Sequence, residues 1–232
     1  MSQPDRTHRP IRSFSIRGGR ITPAQQRALD TLMPVYGLDL PEHGRRTVDF
    51  GEIFGRPAPV ILEIGFGNGD ALLEMARSDP QCNFIGIEVH RPGVGHLLLN
   101  LEQEGIANVR VFCADAIGVL EAGIGDGTLD KVCLYFPDPW PKKKHHKRRI
   151  LQPGFIGQVA KKLKSGGIFH FATDWQDYAD EALDKLEHSR YFENRAGKGN
   201  FSVRPRDRPL TKFEQRGRRL NHGVWDLIMS RT

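Results

Sequence analysis

VILEIGFGNG, residues Val60 to Gly69, decides the fold. Val60–Ile64 is a short apolar run, the reading of a strand covered on both faces. Three glycines follow at alternate positions, Gly65, Gly67 and Gly69. They let the chain turn tightly and let a ligand approach the backbone with no Cβ atoms in the way. Asp70–Ser78 then places Leu72, Leu73, Met75 and Ala76 as the apolar positions of a helix. Strand, glycine turn and helix together open a nucleotide-binding α/β unit. The glycine spacing is G-x-G-x-G. A dinucleotide fingerprint, G-x-G-x-x-G, would need glycine where Asp70 stands, and an acid at a helix start repels a pyrophosphate.

The alternation continues downstream. Strands are expected at Asn83–Val89, Val109–Cys113, Leu129–Phe136 and Ile168–Ala172. Helices are expected at Pro92–Gly105, Ala116–Leu120, Gln152–Lys164 (ending at Ser165-Gly166-Gly167) and Trp175–His188. Strands alternating with helices in apolar runs mean a parallel sheet with helices on both faces. After Tyr191 the regularity fails. Residues 194–210 read as a long polar loop, Thr211–Leu220 as a short helix, and Gly223–Ser230 as a last strand pairing antiparallel with Tyr191–Arg195. Upstream, Thr22-Pro23 caps a helix over residues 21–33, and residues 37–58 read as a connecting approach.

Acids stand at the ends of three successive strands: Glu63, Glu88 and Asp115. Any one alone is most simply a solvent-facing strand terminus. In phase with the glycine turn they describe a ligand lying across the carboxyl ends of the strands. Glu88 is placed to accept ribose hydroxyls and Asp115 to accept an adenine amino group. Glu63 offers negative charge beside the turn at Gly65 and Gly67. A phosphate-free, cationic nucleoside cofactor suits these residues, and S-adenosylmethionine has that chemistry.

The fourth strand runs into LYFPDPWPKKKHHKRR, residues Leu134 to Arg149. Proline on either side of Asp138 fixes φ and limits how far its carboxylate wanders. Trp140 offers a face for a stacked base, or packs the turn as a wedge. Lys142, Lys143, Lys144, Lys147, Arg148 and Arg149 suit phosphates, in a salt-sensitive way, although such a run is usually a solvated face. His145 and His146 lie among these six cations with no carboxylate or thiol expected nearby, a poor metal site, so no metal is expected. At the fifth strand's end Asp174 either caps the next helix or accepts from the Watson–Crick edge of guanine. Thr211-Lys212-Phe213-Glu214 has the spacing of a capping box.

The 232 residues carry a net charge of +6, which suggests a polyanionic partner. The charge is concentrated in the N-terminal arm, the Lys142–Arg149 run and Arg204–Arg219. Residues 1–20 hold five arginines (Arg6, Arg9, Arg12, Arg17, Arg20) and read as an RNA-binding tail or an unstructured end. Three cysteines, Cys82, Cys113 and Cys133, are scattered without a CxxC pair, so neither a disulfide framework nor a zinc site is supported. No apolar stretch approaches the ~20 residues of a membrane span and no secretory h-region is visible. A cytoplasmic protein is the expectation, with residues 1–50 a basic, flexible arm and approach and residues 51–232 the catalytic domain.

EIGFGNG, IEVH, ADA, YFPDPWPKKKHHKRR, ATDW and TKFEQRG, in that order from about Gly51 to the C-terminus, resemble the bacterial tRNA (guanine-N7)-methyltransferase family known as TrmB. The resemblance implies a Rossmann-like class I methyltransferase with a mostly parallel seven-stranded sheet. It also implies methyl transfer from S-adenosylmethionine to N7 of guanosine at position 46 in the variable loop of tRNA. Carried over, the cofactor contacts fall on Glu63, Glu88, Asp115 and Asp138, and Asp138 is the catalytic residue. Substrate contacts fall on Lys142, Asp174, Thr211, Lys212, Phe213 and Glu214, and RNA contacts on Lys144, His145, His146, Lys147, Arg148 and Arg149. Amino-group methyltransferases share the sheet but carry Asn/Asp-Pro-Pro-aromatic, unlike the Pro-Asp-Pro-Trp found here. The family implies tRNA as partner and no membrane, and the choice between monomer and homodimer stays open.

Overall fold

A computed structural model of the chain describes residues 13–14, 19–41, 47–210, 214 and 223–232. Seven strands form one sheet in the order β3-β2-β1-β4-β5-β7-β6. The strands are β1 (Val60–Ile64), β2 (Asn83–Ile87), β3 (Val109–Phe112), β4 (Leu129–Tyr135), β5 (Leu163–Thr173), β6 (Phe192–Asn194) and β7 (Trp225–Arg231). The first five run parallel, and β7 lies antiparallel between β5 and β6. The expected mostly parallel, seven-stranded Rossmann-like sheet is therefore the observed one. The strand order reverses between β1 and β4, and a crevice opens there at the carboxyl ends.

Side-chain alternation along each strand feeds two separate cores. Leu62, Ile64, Ile85, Ile87, Val132 and Leu134 pack on one face with Phe155, Val159 and Tyr178. Phe84, Val109, Val111, Cys133 and Tyr135 pack on the other face with Leu29, Leu72, Leu97 and Leu101. The first face is covered by α5 (Ala116–Gly118), α6 (Pro153–Lys162) and α7 (Gln176–Glu187). The second is covered by α1 (Pro23–Tyr36), α3 (Asp70–Ser78) and α4 (Arg91–Glu104).

Several boundaries differ from those expected. Helix α1 continues to Tyr36 under a complete capping box between Thr22 and Gln25, and it buries Ala28, Leu29 and Leu32 in the second core. Residues before 50 thus include a helix packed in the same core as α3 and α4. The approach segment contains an unexpected helix, α2 (Phe50–Phe54). Asp49 caps its start and Gly55 ends it in the left-handed region at φ 65°, both visible as sequence signals. The expected helix at Ala116–Leu120 is a single α-turn that widens into a π-turn, Val119–Gly123.

The largest difference is at Ser165-Gly166-Gly167. Helix α6 stops at Lys162, and β5 already begins at Leu163, which pairs with Leu129. Lys131 next pairs with Ile168, so residues 164–167 bulge from the ladder, with Gly166 at φ 75° supplying the bend. The short helix expected over Thr211–Leu220 lies outside the described residues except for Glu214.

Candidate functional site

The three glycines adopt left-handed φ values of 73°, 60° and 81° at Gly65, Gly67 and Gly69. The turn they make is held from outside. Glu88, just beyond β2, accepts the Gly67 N–H at 2.8 Å through Oε2, and the Val89 and His90 N–H groups at 2.7 and 2.9 Å through Oε1. Helix α4 presses on the same turn. A Cβ on Gly93 would stand 2.1 Å from the Gly67 carbonyl oxygen, so only glycine permits this approach.

A cavity of about 480 Å³ opens over the turn at the ends of β1, β2 and β4. Glu63, Asp70, Glu88, Asp115 and Asp138 line it, together with Gly65 and Gly67. Among the described residues no lysine or arginine lines it. The structure thus brings all four expected cofactor carboxylates to one space and adds Asp70, the acid whose position at the start of α3 disfavours a pyrophosphate. Glu63 is the most enclosed of them at 3% exposure, and its Oε2 has no hydrogen-bond partner among the described residues. Burial first, and the Glu88 charge second, push its carboxyl up to about 8. Asp115 is exposed and also caps α5 by accepting from the Ile117 N–H at 3.1 Å. A buried carboxyl whose Oε2 has no partner among the described residues, facing an acid-lined cavity, fits a cationic group on a nucleoside-sized ligand.

Ser13 and Phe14 contribute to the same wall, and nothing in the sequence linked them to a turn 50 residues away. Ser13 is tied there by its carbonyl, which accepts from the Trp140 indole N–H at 3.2 Å.

Asp138 is exposed at the rim, in the turn that follows β4. Both residues bracketing Pro137-Asp138-Pro139 are in the left-handed region, Phe136 at φ 50° and Trp140 at φ 45°. Non-glycine residues hold that conformation only where the surroundings enforce it. The Phe136 N–H donates to Ala172 of β5 at 2.8 Å. The Pro139 carbonyl accepts from Arg149 Nε at 2.9 Å. Trp140 is not an open stacking platform, because the Arg148 guanidinium covers its ring at 3.5 Å.

The basic run forms a 3₁₀ turn, Lys143–Arg148. Lys142, Lys143, Lys144 and Lys147 are exposed. His145 is held below the usual histidine value, first by desolvation and then by the surrounding cations, led by Lys144 and Arg148. Arg149, expected as an RNA contact, points inward. It is 1% exposed, and its guanidinium pairs with Asp177 and Glu181 of α7 beside the Tyr178 ring. A side chain with its whole fork engaged inside the fold has no face left for a phosphate.

His146 also corrects an expectation. Carboxylates do stand near it, Asp177 at 3.7 Å and Glu181 at 3.9 Å, brought by tertiary packing. The same two acids already pair with Arg149, and Glu181 with Lys185 Nζ at 2.5 Å, so these cations balance their charge.

Asp174 is half-buried just after β5, next to β4 in the sheet. It does not cap the following helix. The N-cap of α7 is Trp175, with no side-chain cap, and the Trp175 N–H donates to Thr173 Oγ1 at 3.3 Å. Asp174 and Lys142 do not line the cavity. Thr211, Lys212 and Phe213 lie outside the described residues. Glu214 is buried and accepts from Arg208 Nη1 at 2.6 Å. Arg208 bridges to Asp226 of β7, with Nε at 2.8 Å and Nη2 at 3.2 Å. Asp226 meets His170 Nε2 at 2.7 Å, and His170 Nδ1 meets the Tyr135 hydroxyl at 3.0 Å. Burial holds His170 below the usual histidine value, against the pull of Asp226. The two carboxylates are balanced by Arg208 and by Arg204, 3.3 Å from Glu214. In sequence Arg208 is one more cation of the Arg204–Arg219 concentration, and an arginine in a polar loop carries no local sign of burial.

Residues 57–227 match the family model Methyltransf_4, described as "Putative methyltransferase". A tRNA (guanine-N(7)-)-methyltransferase of Alcanivorax borkumensis is 52% identical over 223 residues, 96% of this chain and 92% of that protein. A protein of the same description from Aeromonas hydrophila is 53% identical over 224 residues, 96% of this chain and 93% of that protein. Among solved structures the 16S rRNA methyltransferase KamB superposes with a TM-score of 0.56 at 15% identity, over 81% of this chain and 95% of that one, a likeness of fold. With the glycine turn, the acid-lined cavity and the Pro-Asp-Pro turn in place, these near-full-length matches establish that the chain belongs to the bacterial tRNA (guanine-N7)-methyltransferase family.

Proposed function

We propose that this chain transfers a methyl group from S-adenosylmethionine to N7 of the guanosine at position 46 in the variable loop of tRNA. The observation that carries the reading is the cavity at the β1/β4 switch point, lined by five carboxylates and no lysine or arginine among the described residues, with Asp138 at its rim. When bound there, S-adenosylmethionine supplies a methyl group on a positively charged sulfur. Glu63, with its unpartnered Oε2, would hold a cationic group, and Glu88 and Asp115 would accept from ribose hydroxyls and the adenine amino group. The turn at Gly65 and Gly67 lets the nucleoside approach the backbone.

Guanine N7 is a lone-pair acceptor and needs no deprotonation before it attacks. A strong general base is therefore unnecessary, and alignment supplies much of the rate. As the new N–C bond forms and the methyl–sulfur bond breaks, positive charge would pass from sulfur to the imidazole ring of the base, with neutral-sulfur S-adenosylhomocysteine as the leaving group. The fixed carboxylate of Asp138 would favour that charge electrostatically. Asp174, on the neighbouring strand end, suits the amino and imino donors of guanine. Lys142, Lys144, Lys147 and Arg148, with His145 and His146 among them, would meet the phosphates. Thr211, Lys212, Phe213 and Glu214 are proposed as further substrate contacts on the family pattern. The reading carries no requirement for a metal. It is consistent with a cytoplasmic enzyme, and no helix among the described residues is long and apolar enough to cross a membrane.

The test is methyl transfer from labelled S-adenosylmethionine to unmodified tRNA transcripts carrying guanosine or adenosine at position 46. Label at N7 with guanosine only is the expected result. Label that persists after the replacement overturns the position, and no label overturns the activity. Asp138→Ala should abolish turnover while tRNA still binds.

A further inference from the structure

Arg149 ends the basic run, yet its guanidinium faces away from the exposed lysines. It makes three engagements at once. Nε donates to the Pro139 carbonyl at 2.9 Å, Nη1 to Glu181 and Nη2 to Asp177, while the Tyr178 ring lies 4.8 Å below the guanidinium. Asp177 and Glu181 are one turn apart on α7, and Tyr178 and Ala182 of that helix are buried in the first core. The Pro139 carbonyl belongs to the residue that follows Asp138.

We propose that Arg149 is a positioning residue for Asp138, fixing the reactive turn to α7 through the Pro139 carbonyl. This rests on the reading of Asp138 as the catalytic carboxylate. Two of the contacts that hold the turn bracket Asp138. One is the Phe136 N–H on Ala172 of β5, and the other is Arg149. Asp138 lies between them, flanked by two prolines with fixed φ. Phe136 and Trp140 sit on either side in left-handed conformations that isolated residues of their kind avoid, so outside contacts must hold them. Arginine suits the inner anchor because its planar fork donates in several fixed directions at once. A lysine ammonium can satisfy the acids but cannot reach the carbonyl with the same geometry.

A phosphate contact and a positioning anchor give opposite signatures. In the full-length protein, Arg149→Lys should lower kcat at saturating tRNA and S-adenosylmethionine by on the order of 10- to 100-fold. The Kd for tRNA, the Kd for S-adenosylhomocysteine and the salt dependence of tRNA binding should stay within twofold of the parent. Glu181→Gln and Asp177→Asn should lower kcat in the same direction, although each removes an acid and so cannot weaken a phosphate contact.

Unchanged kcat in Arg149→Lys overturns the proposal. So does a fall of about one in the salt slope with kcat retained, since that is the signature of a phosphate contact. Should Arg149→Lys not fold, Glu181→Gln and Asp177→Asn decide by the same comparison of kcat with tRNA affinity. Asp138→Ala separates the two levels. If it stays active, the assignment of Asp138 fails. If it is inactive while Arg149→Lys and Glu181→Gln turn over normally, only the positioning role fails.

Discussion

Glu63 and Glu88 end adjacent parallel strands and face one cavity, but their carboxylates are satisfied in different ways. Glu88 accepts three backbone N–H groups, while Glu63 Oε2 has no partner among the described residues. Close like charges do not both ionise cheaply. Here Glu88 carries the backbone hydrogen bonds, and Glu63 is pushed up to about 8.

Ligand affinity should therefore depend on pH through Glu63. A cationic group at this carboxyl favours its ionised form, so binding at pH 7 should release a proton. S-Adenosylhomocysteine should bind more tightly as pH rises toward about 8 and then level off. Calorimetry in two buffers of different ionisation enthalpy measures the released proton. Glu63→Gln should release none and bind weakly at every pH. The same release from wild type and Glu63→Gln would remove Glu63 from the linkage.

The stability of the free protein should carry the opposite pH trend. The folded-state value of about 8 lies above the ordinary 4.5, so the folded state binds the extra proton between them. The contribution is fully present below pH 4.5 and is lost as pH rises through about 8. Across that window stability should fall by at most about 1.4 kcal/mol per pH unit from this one group. In Glu63→Gln that component should vanish, so the variant should gain on wild type as pH rises in urea unfolding.

Gly93→Ala should damage the cofactor turn without touching an acid. Its Cβ would meet the Gly67 carbonyl at 2.1 Å, and backbone on both sides has to move. Overpacking of this kind costs about 1–3 kcal/mol. The expected result is a stability loss of that size in urea unfolding, with weaker S-adenosylhomocysteine binding, because Gly67 is also the residue that Glu88 holds at 2.8 Å.

Neutralising Lys143, Lys144 and Lys147 together should weaken tRNA binding and flatten its salt dependence by about one unit for each phosphate that is no longer neutralised. All three are exposed, so the melting temperature should hardly move. An unchanged salt slope would make them a solvated face.

Arg208→Met should be among the most destabilising single changes. It leaves Asp226 and Glu214, at 1% exposure each, without the guanidinium that bridges them. Removing one partner of a buried ion pair costs about 3–5 kcal/mol, which urea unfolding reads directly.

The sequence by itself determined the parallel sheet, the glycine turn and the cap of α1 at Thr22. These depend on local quantities: apolar runs, φ preferences and the side-chain chemistry of the first helical turn. It also put Glu63, Glu88, Asp115 and Asp138 around one cavity, because in a parallel sheet every strand end arrives at the same edge. The bulge at residues 164–167 was not legible, since β4 has to be in place before Leu163 can pair with Leu129. The basic run shows the same limit at the site. Its six cations read alike in sequence, and only the packing of α7 turned Arg149 inward to Asp177 and Glu181 while leaving the lysines in water. Burial of a charge is decided by the partners that distant chain segments deliver, and the cost of an unpaired buried charge makes that choice strict.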